Sequence, residues 1–234
     1  MQPLVDELQP LAVRSASSLL AAPVYCTYES SSFWGVGEGG SQVVNLLLER
    51  GDNVVAVVHS RNLFEPNPNL TVVAFDVHDQ VKVTEVISGS QVILSCLSNW
   101  GSEQGDVLTA AIRAVVPAMK KVGVRRIISL TGNAAFTPDD KPTALQKANR
   151  AMLAKLAPKV LADGEAHMAV LRASGLDWTV LRSPVMNELG KHTYRLSGAL
   201  SGATATIHRH AVAQAMVDQI DDTQWLQKTP VIWR

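Results

Sequence analysis

Three glycines with the spacing G-x-G-x-x-G, at Gly35, Gly37 and Gly40, are the residues best suited to chemistry in this sequence. In a strand–turn–helix unit the first glycine permits a tight turn, the second lets the backbone approach a pyrophosphate, and the third lets the helix pack against the strand. The helix that follows directs free N–H groups and the positive end of its dipole at the phosphates. The pattern predicts a dinucleotide site that includes Glu38 and Gly39, and a purely structural turn is the alternative. The Glu38 carboxylate opposes a pyrophosphate unless it faces solvent.

The choice of dinucleotide depends on the end of the second predicted strand, where His59, Ser60 and Arg61 follow a run of valines. An NAD site uses an Asp or Glu near this point to bind the ribose 2′-OH, and none is present here. Arg61, with His59 and Ser60, is suited to a 2′-phosphate instead. We therefore predict NADP as the cofactor with NAD as second choice, and a solvated surface role for Arg61 stays open.

Two further strand ends supply candidate contacts. Asp76 and Val77 follow the third strand, where such folds place a carboxylate near the adenine amino group and an apolar side chain on the ring. Asp79, two residues later, is better explained as a helix N-cap. The fourth strand ends in a stretch predicted to run under the nicotinamide ribose, made of Cys96, Leu97 and Ser98. Cys96 is interpreted as a packing residue, because no base lies near it in sequence to make it a nucleophile.

The elements that must position these residues alternate along the chain. Short apolar, β-branched runs predict strands at residues 32–34, 53–58, 70–74, 92–96, 126–130 and 178–181. Helical spacing between them predicts helices at 41–50, 81–88, 104–122, 143–174 and 210–220. Gly51, Gly123 and Gly175 follow basic residues at helix ends and are predicted stops. Strand–helix repetition with short connections predicts a doubly wound, parallel α/β sheet of the Rossmann-like class. We expect one domain over residues 31–234 behind an N-terminal extension over residues 1–30.

Bulk composition narrows the function classes. The 234 residues are 47% hydrophobic and 18% charged, with a formal net charge of zero, so neither nucleic acid nor an anionic membrane is an expected partner. No apolar run approaches the ~20 residues that span a bilayer. Two cysteines without CxxC spacing argue against a disulfide framework or a metal site, and a reduced cytoplasmic location is expected. Helical spacing in the extension leaves two roles open, packing on the domain or a partner or homodimer helix.

Several segments together resemble the atypical short-chain dehydrogenase/reductase group, and within it the NAD(P)H-binding proteins similar to flavin reductase/biliverdin-IXβ reductase and NmrA-like proteins. The segments that carry the resemblance are residues 37–51, 71–77, 118–126 and 171–184. The last is the most specific, through its Ser-Gly-Leu-Asp-Trp-Thr and Arg-x-Pro pattern. The group uses G-x-x-G-x-x-G, so in that register Trp34 replaces the first glycine while Gly37 and Gly40 supply the other two.

The resemblance implies the fold and the cofactor better than the reaction. A tyrosine-dependent dehydrogenase carries Tyr-x-x-x-Lys on the helix after the fifth strand, and none of the three tyrosines begins that motif. Thr131, at the end of the fifth strand, is the remaining catalytic candidate, through a hydrogen bond to a substrate carbonyl. Pro184, at the end of residues 182–184, is expected to shape the pocket near the nicotinamide, and residues 137–142 are the expected substrate loop.

Four side chains on the long helical stretch are candidates for a substitute acid, with surface charge as the alternative for each: Lys147, Lys155, Glu165 and His167. His208 and His210 are interpreted as a cap or surface pair, not as metal ligands.

Three functions stay open for a small-molecule site of this kind. The first is an NADPH-dependent reductase of a flat conjugated acceptor such as a flavin, quinone or tetrapyrrole. The second is a non-catalytic NADP sensor, and the third is a non-redox isomerase or cyclase with a degenerate cofactor site.

Overall fold

A computed structural model describes residues 24–28, 37–58, 64–75, 79–100, 105–202 and 205–234, with backbone alone at 24–28 and 37–39. Its strands are β1 (Val24–Tyr28), β2 (Val54–Val58), β3 (Leu70–Ala74), β4 (Val92–Ser95), β5 (Arg126–Gly132), β6 (Asp177–Ser183), β7 (Val185–Asn187), β8 (Arg195–Ser197), β9 (Thr206–His208) and β10 (Val231–Trp233). Its helices are α1 (Gly37–Glu49), α2 (Gln80–Ile87), α3 (Val107–Val122), α4 (Ala144–Leu156), α5 (Pro158–Arg172) and α6 (Arg209–Asp218).

The main sheet has eight strands in the order β3-β2-β1-β4-β5-β6-β10-β8. Every neighbouring pair is parallel except β10 with β8. The strand order reverses between β1 and β4, and ligands of open α/β sheets bind at such a reversal, outside the carboxyl ends of the strands. The predicted doubly wound α/β fold is therefore confirmed, and it defines the edge of the sheet on which a site is expected.

Two apolar layers cover the faces of the sheet. On one face α1 and α6 pack through residues such as Val44, Leu47 and Met216. On the other face α2, α3 and α5 pack through residues such as Met119 and Leu171. Because both faces are covered, β4 is buried at all four positions, as its uninterrupted apolar run predicts. In the described part of the chain, no helix is both long and apolar enough to cross a membrane.

The first strand differs from the prediction. β1 (Val24–Tyr28) occupies the centre of the sheet and pairs in parallel with both β2 and β4. Residues 32–34, predicted to form this strand, lie outside the described residues. The predicted boundary at residue 31 was wrong, because the sheet already contains 24–28. Valine, tyrosine and threonine supply four of the five positions of β1, and these residue types favour strands, whereas the prediction placed the strand directly before the glycines.

Helix ends follow the predicted chemistry closely. Gly51, Gly123 and Gly175 have φ of 88°, 83° and 71°, so each predicted stop adopts the left-handed conformation that favours glycine. Asp79 caps α2 by accepting the Lys82 N–H at 3.0 Å. The helix predicted over 143–174 is two helices, because Pro158 lacks the N–H that would bond the previous turn and its ring opposes helical packing there.

Candidate functional site

The phosphate end of the candidate site is the start of α1. The helix begins at Gly37, so Gly37, Glu38, Gly39 and Gly40 form its first turn, and Gly40 is buried. The first N–H groups of a helix have no partner within it, which makes this turn a place where an anion can bind. The predicted glycine segment therefore includes the start of a helix, as the prediction required. Gly35 lies outside the described residues.

The predicted adenosine contacts also lie outside the described residues. They are His59, Ser60, Arg61, Asp76 and Val77. The strands that lead to them are described: β2 ends at Val58 and β3 at Ala74, and these two residues pair in register. All five residues follow the carboxyl ends of these two strands in the sequence. Their assigned contacts stay predictions.

Beyond β4, the side chains of Cys96 and Leu97 turn into the core. The Cys96 sulfur lies 4.0 Å from the Met216 sulfur of α6, which confirms its interpretation as a packing residue. Leu97 packs with Leu108 of α3. Ser98 accepts the Trp100 N–H through its hydroxyl at 3.2 Å. The side chains of Cys96 and Leu97 are therefore occupied by packing, and their predicted contact with a cofactor stays a prediction.

Two asparagines that were not predicted as site residues lie beyond the ends of β4 and β5. Asn99 donates its amide N–H to the Gly105 carbonyl at 3.1 Å, and Asn133 donates to the Ser201 hydroxyl at 2.5 Å. In each case the side-chain Oδ1 is buried and has no hydrogen-bond partner among the described residues. An unsatisfied buried acceptor costs about 1–3 kcal/mol, so these atoms fit a ligand that brings donors. Ribose hydroxyls and a nicotinamide carboxamide are donors of that kind. Asn133 directly follows β5 and Asn99 lies four residues past β4, and these sequence positions alone do not mark a site.

Thr131 has a packing contact at the end of β5. It is buried, and its hydroxyl faces α5 so closely that a Cβ added to Gly164 would lie 2.6 Å from the Thr131 Oγ1. The same Cβ would lie 3.2 Å from the Ala135 Cβ. Gly164 therefore lets α5 approach β5. The hydrogen bond from Thr131 to a substrate carbonyl stays a prediction.

Strand register brings Pro184 beside the end of β5. Gly132 pairs with Ser183, and the Asn133 N–H donates to the Ser183 carbonyl at 2.8 Å. Pro184 is buried immediately after this pair, and its carbonyl accepts the Ser183 hydroxyl at 2.8 Å. The structure thus places Pro184 next to the unsatisfied Asn133, and its predicted role in shaping the pocket stays a prediction.

A buried ion pair anchors the loop at 137–142. The Arg182 guanidinium binds Asp140 through two nitrogens at 2.6 and 3.0 Å, and the two side chains are only 1% and 5% exposed. Asp140 also accepts the Thr137 N–H at 2.6 Å, while the Arg182 Nε donates to the Thr229 carbonyl at 2.9 Å. The expected substrate loop is therefore held to β6 by the buried ion pair between Asp140 and Arg182.

A cavity of about 400 Å³ lies between this loop and the helix pair α4 and α5. Its apolar lining consists of Phe136, Pro138, Pro142 and Ala151. Its polar side carries Lys147 and Arg150 of α4 with Glu165 of α5. Phe136 follows β5 by four residues, so the cavity adjoins the carboxyl edge of the sheet. This volume is within the range of small-molecule sites.

The candidate acids on the helix pair have other partners. Glu165 binds Arg150 through three contacts of 2.7 to 2.9 Å and accepts the Phe136 N–H at 3.1 Å. His167 is fully buried, so the surface interpretation was wrong for it, and desolvation lowers its pKa to about 4 despite the nearby Asp163 charge. Lys155 is exposed near the end of α4, whereas Lys147 lines the cavity. A neutral histidine and a paired carboxylate are both poor acids, so Lys147 is the member of this set that reaches the cavity without a partner among the described residues.

Asp163 joins α5 to the start of α3. Its buried carboxylate accepts the Leu108 and Thr109 N–H groups, both at 2.9 Å. Asp106 occupies the N-cap position of α3 and makes no capping bond through its side chain. The cap of α3 therefore comes from a residue 55 positions away from Leu108.

We expect Asp163→Ala to lower the free energy of unfolding by about 2 kcal/mol, because two helix N–H groups lose a charged acceptor. Asp106→Ala is the matched control and should cost less than about 0.5 kcal/mol. Urea denaturation of both variants measures the difference. A larger loss in the Asp106 variant would show that the cap is assigned to the wrong residue.

The remaining tyrosine and histidine candidates belong to structural contacts. Tyr194 hydrogen-bonds to Asp218, and burial together with this bond raises the pKa of the Tyr194 phenol. His208 caps α6 by accepting the His210 N–H at 3.1 Å, which confirms the cap interpretation. Within the described residues, no group of three or more His, Cys, Asp or Glu side chains is arranged to hold a metal ion.

Comparison with known proteins identifies the class of protein. The sequence model of the NAD(P)H-binding family matches residues 35–223, which is most of the chain. The chain therefore belongs to the NAD(P)H-binding family, and the predicted resemblance to atypical short-chain dehydrogenases/reductases is confirmed. A search of curated proteins found no match.

Solved structures similar to this chain share its fold. A short-chain dehydrogenase/reductase from Veillonella parvula DSM 2008, solved with NADP, is 19% identical with a TM-score of 0.70, over 90% of this chain and 94% of that one. An oxidoreductase from Lactococcus lactis is 16% identical with a TM-score of 0.69, over 89% and 90% of the two chains. A Streptococcus pneumoniae protein provisionally assigned as an NADH-flavin reductase is 14% identical with a TM-score of 0.65, over 91% and 99%.

Proposed function

We propose that this protein is an NADPH-dependent oxidoreductase whose acceptor is a flat, conjugated small molecule such as a flavin, a quinone or a tetrapyrrole. When bound, NADPH supplies the hydride. The observation that carries the proposal is the cavity beside β5, which is lined by Phe136 and two prolines and in which Glu165 is held in an ion pair by Arg150. A conjugated acceptor needs positioning more than protonation by a placed acid, because its reduced form spreads the added charge.

The residues at the sheet edge support the cofactor part of the proposal. The first turn of α1 offers N–H groups to the phosphates, and the Asn99 and Asn133 oxygens accept donors from the nicotinamide riboside. The family match supports an NAD(P)H ligand, and the Veillonella parvula structure holds NADP on the same fold. The Streptococcus pneumoniae relative supports a flavin among the acceptors by its assignment.

Steady-state oxidation of NADPH, followed at 340 nm with menadione, FMN or biliverdin as acceptor, tests the proposal. We expect turnover with at least one of these acceptors and none with simple aliphatic ketones. NADPH binding without oxidation by any acceptor would favour the NADP sensor instead. The sensor alternative is supported by the same observation, since none of the three tyrosines begins a Tyr-x-x-x-Lys motif. An isomerase or cyclase would follow only if neither nicotinamide cofactor binds.

The preference for NADP rests on Arg61 and its two predecessors after β2. We expect Arg61→Ala to weaken NADPH binding by roughly tenfold, since a charge-assisted bond to the 2′-phosphate is lost, and to leave NADH binding within twofold. Fluorescence titration of both cofactors against both proteins measures this. Equal losses for NADPH and NADH would remove the 2′-phosphate assignment.

A further inference from the structure

The cavity beside β5 carries a positive charge that the proposed hydride transfer does not use. Lys147 lines it from α4, is exposed, and makes no side-chain hydrogen bond or ion pair with any described residue. Arg150, one turn later, binds Glu165, so that pair is neutral. The lining residues therefore sum to one positive charge, which belongs to Lys147.

Arg150, the second cationic side chain that lines the cavity, is held in a fixed position. Two Arg150 nitrogens, Nε and Nη2, bond to Glu165, and the guanidinium lies over the Phe136 ring at 5.5 Å from its centroid. Nη1 takes no part in the pair with Glu165. This arrangement orders the guanidinium before any ligand arrives, so a ligand anion near Lys147 also meets an ordered donor.

The apolar lining residues of the cavity favour a ligand with a flat ring system. Phe136, Pro138 and Pro142 give flat, rigid apolar surfaces, and the ion pair between Arg182 and Asp140 fixes the loop that carries two of them. Aromatic rings stack on such surfaces with little loss of side-chain entropy. Lys147 lines the same cavity, so a short charged substituent on a ring bound there comes within the field of its ammonium group.

We propose that the cavity binds a flat aromatic acceptor through an anionic arm, a phosphate or carboxylate, which Lys147 recognises with the help of Arg150. This inference rests on the proposed function, which it deepens by naming the charged group of the substrate. Flavins provide the sharpest test, because FMN and riboflavin share one ring system and differ by a phosphate.

Quenching of flavin fluorescence measures binding of FMN and riboflavin to the full chain without any turnover. We expect FMN to bind about tenfold more tightly than riboflavin. Raising the salt concentration from 50 to 500 mM should weaken the binding of FMN and leave the binding of riboflavin unchanged. Lys147→Gln should remove the preference and Lys147→Arg should keep it. Lys155→Gln, on an exposed lysine of the same helix, should leave the preference unchanged.

Equal affinities for the two flavins, failure of both to bind, or a preference that survives in Lys147→Gln would each overturn the inference. Turnover of NADPH with menadione, a quinone without charge, separates this outcome from failure of the proposed function. If menadione is reduced but FMN is not preferred over riboflavin, recognition of an anionic arm is refuted and the proposed reductase function stands. An FMN preference without reduction of any acceptor supports the arm and refutes the reductase.

Discussion

Replacing Asp140 by alanine should lower the free energy of unfolding by about 3–5 kcal/mol, because the variant leaves the Arg182 charge buried without its carboxylate. Arg182 is 1% exposed, so water cannot replace the lost partner. The Thr137 N–H loses its acceptor as well, which releases the loop that lines the cavity. Chemical denaturation of the variant measures the loss, and weaker acceptor binding should accompany it.

The neighbouring Asp139 provides a matched control. Its side chain is 80% exposed and pairs with Arg172 at 3.0 Å on the surface, so Asp139→Ala should cost less than about 1 kcal/mol. A double variant that replaces Arg182 and Asp140 by methionine and leucine should recover much of the stability, since no buried charge is left unpaired. Similar losses in the two single alanine variants would contradict the assignment of Asp140 as the buried partner.

Acid should destabilise this protein through His167. Burial lowers the pKa of His167 to about 4 in the folded state, against about 6.5 in the unfolded chain. The unfolded state therefore binds the proton first, so the stability present above pH 6.5 is lost as the pH falls from about 6.5 to about 4. The shift corresponds to a loss of about 3 kcal/mol by linkage.

His167→Leu isolates this contribution. The leucine variant should match or exceed the wild type in stability at pH 7, because His167 is fully buried and a polar ring costs more free energy to bury than a leucine side chain. The difference in unfolding free energy between the two proteins, measured by urea denaturation at pH 7.5 and pH 4.5, should grow in favour of the variant at low pH. A difference that stays constant over this range would show that His167 titrates normally.

Local signals in the sequence were sufficient for most of the fold. The strands at β2 to β6, the glycine stops and the Asp79 cap depend on residues close together in sequence, where propensity and capping chemistry act directly. β1 was missed because its prediction depended on distance from the glycines, whereas β1 ends nine residues before Gly37, where α1 begins. The three-residue strands β7 to β10 carry too few positions for a periodic pattern.

The candidate site depended more on contacts between distant residues. Asp140 and Arg182 are 42 residues apart, and each looks like an ordinary surface charge in sequence. The same holds for Asp163 and the start of α3. The burial of His167 was missed although a local signal was present, because its spacing from Gly164 and Leu171 places it on the buried face of α5. Asn99 and Asn133 show their importance only through their buried, unpartnered oxygens.

The most direct test of the account is a fluorescence titration of the full chain with NADPH and, separately, NADH. The chain belongs to the NAD(P)H-binding family, and we propose that the first turn of α1 and the unsatisfied asparagines hold the dinucleotide at the carboxyl edge of the sheet. We predict saturable binding of NADPH with a Kd well below 1 mM, tighter than that of NADH. Absence of binding by either cofactor up to about 1 mM, weaker than about −4 kcal/mol, would contradict the central claim.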